Sequence, residues 1–483
     1  MGWSQIEPTG PHLTYLVLSF FLISYALFSF FIRNRLHLSE PPLAALFGII
    51  FGPQGADVLT PLKWGLGDDI VQEFTRLIVG IQCFVVGIEL PKFYFDRHWK
   101  SVAMMLGPVM TFGWIVCATF IWWIFGVGIP TALVIAACLT PTDPVLAASV
   151  LSNSQFSTRV PARVRHLLSA ESGCNDGVSF PFIYVGLSIL TKTTAAGSLK
   201  KWFLIVILWQ CLLGTTIGLV IGWCANHILR FSKKNNYVGR ASYLVFYLLL
   251  ATFSIGVAST LGVDDFLVAF GAGYGFGRDG WFSEQIAETR LPNVIDLLLN
   301  STFFVYFGAS IPWDKFGKAP KLDPGLLALL LILILLFRRL PIVIALYRFI
   351  PDIHTFREAL FCGHFGPMGV GALFLAIEAR AQLESGTSDP EPHPPTDLPP
   401  ERQRAVFMIW PMICFIVLGS TIVHGMSTLV ISLSSHFLRP QGERAPLIGG
   451  EQEGFMGMRH DEGDGDSAEE ESGSDPEERN LSE

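Results

Sequence analysis

Charged residues are scarce in this sequence. Only 15% of the 483 residues are Asp, Glu, Lys or Arg, whereas 51% are hydrophobic. Soluble domains carry roughly 25% charged residues, so this composition excludes an ordinary soluble protein. Several apolar runs reach about 20 residues, the length that crosses the hydrocarbon core of a bilayer. We therefore predict an all-α, polytopic membrane protein that is surrounded by lipid and has no nucleic-acid partner.

Two further features are missing. Residues 1–12 contain no Lys or Arg, so no cleavable signal peptide is evident. A disulfide framework is not indicated either, because all the cysteines fall within predicted helices, where they should serve as small apolar residues rather than metal ligands. They are Cys83, Cys117, Cys138, Cys174, Cys211, Cys224, Cys362 and Cys414.

Hydropathy predicts about thirteen spans. This number suggests a first repeat of six at 13–190, a linker helix at 202–230 and a second repeat of six at 241–434. The membrane domain then covers 13–434. The spans are 13–32, 42–59, 71–90, 103–125, 130–150, 165–190, 202–230, 241–260, 263–278, 292–311, 323–348, 357–379 and 406–434.

Loop charge predicts the orientation of these spans. Sixteen Lys and Arg lie in loops after odd-numbered spans, and ten lie in loops after even-numbered spans. Because the more positive loops stay in the cytoplasm, residues 1–12 should be extracellular and the C-terminus cytoplasmic. Residues 441–483 hold 14 acidic and 3 basic residues. We expect them to form a disordered cytoplasmic tail, which a cytosolic regulator could bind.

Two predicted spans contain sequences that cannot form a regular helix. The fifth has T-P-T-D-P at 140–144, where two prolines remove backbone donors and free the carbonyls before them. The twelfth has four glycines and a proline in G-H-F-G-P-M-G-V-G at 363–371. Breaks at matching positions predict an inverted repeat with two crossing broken helices. The alternative for the second motif is a small-residue contact between helices.

Uncompensated carboxylates lie in the same region. Asp143, Glu171 and Asp176 fall in predicted spans, and none is next to a Lys or Arg. Carboxylates are costly in hydrocarbon, so they usually line a pathway or pair with a partner. Ser172 and Asp176 are four residues apart and share one helix face. The freed carbonyls and this face together predict a site of oxygen ligands for a hard cation.

With these residues in view, the chain resembles the sodium/proton exchanger branch of the cation/proton antiporter superfamily, and in particular its fungal plasma-membrane alkali-cation/proton antiporters. The resemblance covers roughly residues 10–435. It implies a multi-pass plasma-membrane homodimer with an ion site where spans 5 and 12 cross. The motifs are T-P-T-D-P at 140–144, E-S-G-C-N-D at 171–176, G-V-D-D-F-L-V-A-F at 262–270, F-R-R-L-P at 337–341 and G-H-F-G-P-M-G-V-G at 363–371.

The resemblance also implies roles for single residues. Asp176 matches the carboxylate that binds either a cation or a proton, Ser172 matches a side-chain oxygen ligand, and Thr142 matches a donor of a backbone carbonyl. These three would hold Na⁺ or Li⁺. Asn175 and Asp143 match a pair that holds the fifth span against the sixth. From the residues alone, Asp143 could be either a direct ligand or a cap of the broken helix.

Glu171 matches an acid that pairs with an arginine of the eleventh span. Arg338 and Arg339 are both available, and the R-x-L spacing favours Arg338. We expect this pair to support the architecture rather than to carry the chemistry. The chain departs from the family's usual E-S-L-x-N-D because Gly173 replaces the leucine, which leaves fine ion selectivity open.

Three further residues have two interpretations each. Asp264 and Asp265 follow a glycine at the start of the ninth span, so they are either helix-capping acids or residues at the mouth of the pathway. His364 lies in the second break, where it is either a hydrogen-bonded side chain or a group that responds to pH.

We therefore predict a secondary transporter, not an enzyme, that exchanges cytosolic Na⁺ and Li⁺ for external H⁺ by alternating access and needs no cofactor. Cation and proton would compete for Asp176, because burial disfavours a charged carboxylate without a counter-ion. The alternatives are a proton-coupled cation symporter and a cation channel. No T-V-G-Y-G filter or arginine ladder of a channel occurs. The G-x-G-D at 65–68 lies in a polar loop, and no Tyr-Asp dipeptide of an intramembrane aspartyl protease accompanies it.

Overall fold

The computed structural model of the chain describes residues 9–34, 36, 38–144, 160–191, 195–286, 291–317, 322–392, 395 and 397–427. Within these residues the regular structure is helical and contains no strand, which confirms the predicted all-α class. The acidic tail at 441–483 and the second half of the fifth span lie outside the described residues.

The helices follow the order of the predicted spans, and at least one described helix overlaps each span. Six of them are long and apolar enough to cross a membrane, so the count of thirteen crossings stays a prediction. The helices are α1 (Gly10–Asn34), α2 (Glu40–Phe51), α3 (Asp68–Glu89), α4 (Tyr94–Phe125), α5 (Ile129–Cys138), α6 (Ala162–Leu190), α7 (Ala196–Lys234), α8 (Arg240–Leu261), α9 (Asp265–Gly277), α10 (Leu291–Ser310), α11 (Pro324–Phe349), α12 (Phe356–His364), α13 (Val370–Glu384) and α14 (Pro400–Gly425).

Local sequence explains where several helices begin and end. The Asp323 carboxylate accepts from the backbone N–H of Gly325 at 2.8 Å before α11, and the Thr355 hydroxyl accepts from that of Glu358 at 3.2 Å in α12. Gly262 has a φ of 64° and separates α8 from α9, two spans that the sequence barely divided. Only glycine adopts this backbone conformation without strain.

Burial separates central helices from peripheral ones. Helices α1 and α7 expose large apolar side chains, such as Phe20, Leu27 and Trp209, as expected for surfaces that face lipid. Helices α3, α6 and α9 pack against one another at the centre. Gly273 of α9 lies so close to α3 that a Cβ at this position would overlap the carbonyl oxygen of Phe84. The central helices therefore form a tight frame around the polar residues.

The two predicted breaks are present and contact each other. Helix α5 ends at Cys138, and residues 139–143 have no regular structure. Helices α12 and α13 are separated by the irregular segment 365–369. The backbone N–H of Asp143 donates to the Pro367 carbonyl at 2.8 Å, so one break supplies a partner for the other. Irregular backbone at membrane depth is stable only where other protein groups satisfy it in this way.

Candidate functional site

Asp176 lies at the centre of the molecule beside the contact between the two breaks. It is 2% exposed, and its Oδ1 accepts no hydrogen bond from the described residues. Its Oδ2 is 4.0 Å from the Cys83 thiol of α3. A Cβ at Gly371, in the first turn of α13, would overlap Asp176 Oδ1. The carboxylate therefore faces the start of the second half-helix and holds an unused acceptor.

Ser172, one turn before Asp176 on α6, is joined to the first break. Its hydroxyl is 2.8 Å from the Thr142 hydroxyl. Asn175 forms two hydrogen bonds with the same threonine. Its Nδ2 donates to Thr142 Oγ1 at 2.7 Å, and its Oδ1 accepts from the Thr142 N–H at 3.2 Å. All of these groups are buried. Asn175 thus joins the sixth span to the irregular end of the fifth, which agrees with the role that the resemblance implies for it.

The Asp143 carboxylate contacts the start of α13. Its Oδ2 accepts from the backbone N–H of Val370 at 3.2 Å, at the first residue of α13. A carboxylate is favourable there because the N-terminus of a helix carries a partial positive charge. The Asp143 carboxylate thus satisfies a free N–H at the start of the helix after the second break and joins spans five and twelve. Its capping role, its role as a direct ligand and its implied pairing with Asn175 stay predictions.

The choice of Arg338 as the partner of Glu171 was wrong. Arg339 forms the pair: its Nη1 and Nη2 each lie 2.5 Å from one oxygen of the Glu171 carboxylate. Arg339 Nε also donates to the Cys362 carbonyl at 2.8 Å. Both side chains are less than 10% exposed. The physical reason is a bend in α11, where Arg339 has a φ of −127° and interrupts the regular helical spacing.

Arg338 instead joins the two breaks. Its Nη1 donates to the Leu139 carbonyl, directly after α5, and its Nη2 donates to the Gly366 carbonyl, two residues after α12. These carbonyls follow the C-termini of two half-helices, where partial negative charge accumulates. Arg338 therefore compensates the partial negative charge of the carbonyls after α5 and α12. Asp143 compensates the partial positive charge of the N–H groups at the start of α13.

Residues 18–432 of the chain match the family described as "Sodium/hydrogen exchanger, transmembrane". The chain belongs to this family. It is 43% identical over 442 residues to Na⁺/H⁺ antiporter 2 of Zygosaccharomyces rouxii, and the match covers 90% of this chain and 54% of that protein. It is 36% identical over 434 residues to a Na⁺/H⁺ antiporter of Schizosaccharomyces pombe, and the match covers 89% of this chain and 92% of that protein.

A Saccharomyces cerevisiae Na⁺/H⁺ antiporter is 44% identical over 441 residues, with 90% of the chain and 45% of that relative covered. The chain thus spans about half the length of several curated relatives. The fold also matches a structure of the sodium proton antiporter MjNhaP1 from Methanocaldococcus jannaschii, with a TM-score of 0.62, 18% identity, and coverage of 89% of this chain and 98% of that one.

The acids at the start of α9 have separate partners. Asp264 is the N-cap: its Oδ1 accepts from the N–H groups of Phe266 at 3.0 Å and Leu267 at 2.8 Å. The capping interpretation is confirmed for this residue. Asp265 instead forms an ion pair with Arg76 of α3 at 3.0 Å. A Cβ at Gly177 would contact Asp264 Oδ1, so Asp264 lies against α6 beside the Asp176 turn.

His364 lies at the end of α12, and its hydrogen-bond partners lie in the C-terminal part of the described chain. Its Nε2 is 3.2 Å from the Ser427 hydroxyl, and its backbone carbonyl is 3.1 Å from His424 Nε2. This arrangement matches the hydrogen-bonded interpretation. A response of this residue to pH stays a prediction.

Sequence reasoning missed two contributors from α3. The sequence indicates only a small apolar residue at Cys83, which is in fact fully buried beside Asp176. Arg76, which neutralises Asp265, was not singled out. The signal that could have revealed Arg76 is a lone basic residue within an apolar span, which is costly without a partner. No comparable signal marks Cys83.

The predicted cation ligands are one carboxylate and two hydroxyl-bearing residues rather than a transition-metal cluster. Among the described residues, no group of three or more His, Cys, Asp or Glu side chains could hold a metal ion. Thr142 and Ser172 together with Asp176 instead offer hard oxygen atoms, the ligand type that small, weakly polarisable cations prefer.

Proposed function

We propose that the chain exchanges Na⁺ for H⁺ across a membrane, with both ions competing for Asp176. One observation carries this proposal: a buried carboxylate with an unused oxygen lies beside the contact between the two irregular segments. Burying a bare carboxylate is costly, so it favours either a bound cation or a bound proton. One carboxylate cannot hold both strongly, and this mutual exclusion couples the two fluxes.

The surrounding groups explain how the site accepts Na⁺. The Ser172 hydroxyl contacts the Thr142 hydroxyl at 2.8 Å. A small rearrangement would turn the Ser172 hydroxyl and the Thr142 backbone carbonyl, the two ligands that the resemblance implies, toward an ion beside Asp176. Asn175 keeps Thr142 in place. Because these ligands are neutral apart from Asp176, a bound Na⁺ leaves the site without net charge. Li⁺ is the second predicted substrate, since it prefers the same oxygens.

The finer features of the proposal follow from the family. We infer a multi-pass plasma-membrane homodimer with six helices, a linker helix and six more, in which the crossing alternates between the two membrane faces. The N-terminus would lie outside and the C-terminus in the cytoplasm. The expected driving force is a proton gradient that expels Na⁺ and Li⁺ from the cell.

The test is Asp176→Asn in sealed vesicles. The amide is nearly isosteric, yet it neither takes up the proton nor neutralises the cation, so Na⁺-dependent proton flux should disappear while expression persists. The matched control is Asp96→Asn, which removes an exposed carboxylate paired with Arg278 at 3.0 Å and should leave flux intact. Continued cation-dependent proton flux in Asp176→Asn would refute the assignment.

The direction of the two fluxes separates the alternatives. An antiporter acidifies one side as Na⁺ leaves it for the other, whereas a symporter moves both ions the same way. A channel would carry Na⁺ current without an obligatory proton flux. Recording Na⁺ and proton movements in the same vesicles therefore decides among the three.

A further inference from the structure

One face of α3 carries polar residues at regular helical spacing. Asp68, Gln72 and Arg76 are four residues apart, so they lie above one another on a single face of the helix. This face meets α13, the half-helix that begins beside Asp176. The same side of α3 reaches Cys83 two turns further on, and Cys83 is 4.0 Å from the Asp176 carboxylate. The polar face therefore lies between the Asp68 end of the molecule and the site.

Gln72 and Glu378 form the middle layer of this contact. Gln72 Nε2 donates to Glu378 Oε2 at 2.8 Å and to the Ser388 carbonyl at 2.9 Å. Glu378 Oε1 accepts from the Ser388 hydroxyl at 2.7 Å and from Gln382 Nε2 at 3.1 Å. Gln72 is 2% exposed and Glu378 is 4% exposed. A buried carboxylate is thus held across two helices by uncharged donors.

Charged layers flank the pair. At the start of α3, Arg380 of α13 lies 2.9 Å from the Asp68 carboxylate. On the side of the site, Arg76 pairs with Asp265 of α9 at 3.0 Å, and its guanidinium lies 5.5 Å from the centre of the Phe374 ring of α13. These three layers fill the space between α3 and α13 above Asp176.

The two helices belong to different parts of the frame. Helix α3 is packed tightly against α9 at Gly273, whereas α13 begins at the second break, where Gly371 lies against Asp176. A motion that opened a path between these helices from the Asp68 face to Asp176 would separate α13 from α3. The hydrogen bonds from Gln72 to Glu378 and Ser388 would break in that motion.

We propose that Gln72 and Glu378 form a latch that closes the passage between the Asp68 face, which loop charge places outside, and Asp176. This inference rests on the proposed exchange, because a latch is needed only if the site is exposed to each side in turn. The neutral donors suit the role. When the helices part, water replaces the hydrogen bonds of Gln72 and Glu378, and neither of these two residues loses a counter-charge. The Arg380–Asp68 ion pair, which also joins α13 to α3, would open in the same motion.

Two substitutions at position 72 should act in opposite directions. Gln72→Ala removes both hydrogen bonds from α3 and favours the open form. Gln72→Lys retains a donor and adds a positive charge opposite Glu378, so it favours the closed form. A change worth one net hydrogen bond shifts the open-to-closed ratio by about fivefold. A residue that only supports the fold would give losses in the same direction for both variants.

The first readout uses the native Cys83 and does not depend on transport. Intact cells are treated with a membrane-impermeant thiol reagent, and modification of Cys83 is followed by site-resolved mass spectrometry. We expect labelling about fivefold faster in Gln72→Ala and slower in Gln72→Lys than in the unaltered chain. The control Asp57→Asn breaks an exposed ion pair with Lys63 in the loop before α3 and should not change the rate.

The second readout is the apparent KM for Na⁺ on each side of sealed vesicles. In Gln72→Ala the KM should fall on the Asp68 face and rise on the opposite face, and Gln72→Lys should show the reverse pattern. Unchanged Cys83 labelling in both variants, or KM shifts in the same direction on both faces, would overturn the latch even where exchange is normal. If the unaltered chain shows no exchange but labelling follows the expected order, the proposed exchange fails and the closure between α3 and α13 stands.

Discussion

Gly371 lies directly against the Asp176 carboxylate, so close that a Cβ would overlap Oδ1. The contact brings the N-terminal turn of α13 to the acid, where the partial positive charge of the helix end stabilises a carboxylate. It also explains why a glycine rather than a better helix former occupies this position.

The first prediction concerns this contact. Gly371→Ala should lower Na⁺-dependent proton flux about tenfold or more, because the added methyl group displaces the carboxylate from the site. Thermal stability should change little, since alanine favours a helix by about 1 kcal/mol and offsets part of the steric cost. The matched control is Gly256→Ala in α8, where a Cβ would meet nothing within 4 Å. Normal flux in Gly371→Ala would show that transport does not depend on the Asp176 carboxylate in this position.

A second prediction tests the hydroxyl pair. Ser172→Ala removes the oxygen that lies 2.8 Å from the Thr142 hydroxyl. If Ser172 is a ligand, the apparent KM for Na⁺ should rise about threefold to tenfold, the effect of one lost polar contact of roughly 1 kcal/mol, while the maximal rate falls less. Ser254→Ala is the control, because Ser254 is equally buried but bonds only to the Leu250 carbonyl of its own helix at 2.7 Å. Equal KM values in the two variants would exclude Ser172 as a ligand.

Arg338 gives a third prediction. A lysine keeps the charge but cannot donate in two fixed directions to Leu139 and Gly366. We expect Arg338→Lys to fold, to lose about 1–3 kcal/mol of stability because a buried carbonyl loses its donor, and to transport at least about tenfold more slowly. Arg278→Lys, at an exposed pair with Asp96, should retain both properties. Stability and flux are measured in detergent and in vesicles, respectively. A wild-type rate in Arg338→Lys would mean that the bridge between the breaks is dispensable.

The sequence predicted those features that depend on local backbone chemistry. Two prolines around Asp143 and four glycines between Gly363 and Gly371 exclude a regular helix whatever surrounds them, so both breaks could be located. The shared face of Ser172 and Asp176 follows from helical spacing and was equally accessible.

Features that depend on the relative position of distant helices were harder to predict. The Asp143 carboxylate accepts from the N–H of Val370, 227 residues away, and no local pattern in the sequence reveals this contact. Arg338 and Arg339 are adjacent, and the bend in α11 destroys the helical phase from which a direction could be inferred. The Gln72–Glu378 contact spans 306 residues and leaves no local pattern in either helix.

The last prediction concerns the Glu171–Arg339 pair. Glu171→Ala leaves a buried guanidinium without its counter-charge, and breaking a buried pair in this way costs roughly 3–5 kcal/mol. Arg339→Ala strands the carboxylate instead, which can take up a proton and avoid part of that cost. We therefore expect Glu171→Ala to be the less stable variant. Glu284→Ala, at the exposed pair with Lys92, should cost no more than about 1 kcal/mol.

Replacing both partners tests whether they form one unit. Glu171→Leu combined with Arg339→Met removes both charges and the desolvation penalty that accompanies them, so it should recover much of the stability that either single variant loses. The measurement is thermal unfolding in detergent of the double variant and of each single variant. Because residues in contact do not contribute independently, the combined loss should be well below the sum of the single losses. Additive losses would show that Glu171 and Arg339 do not form a pair. They would also refute the packing of α6 against the bend of α11.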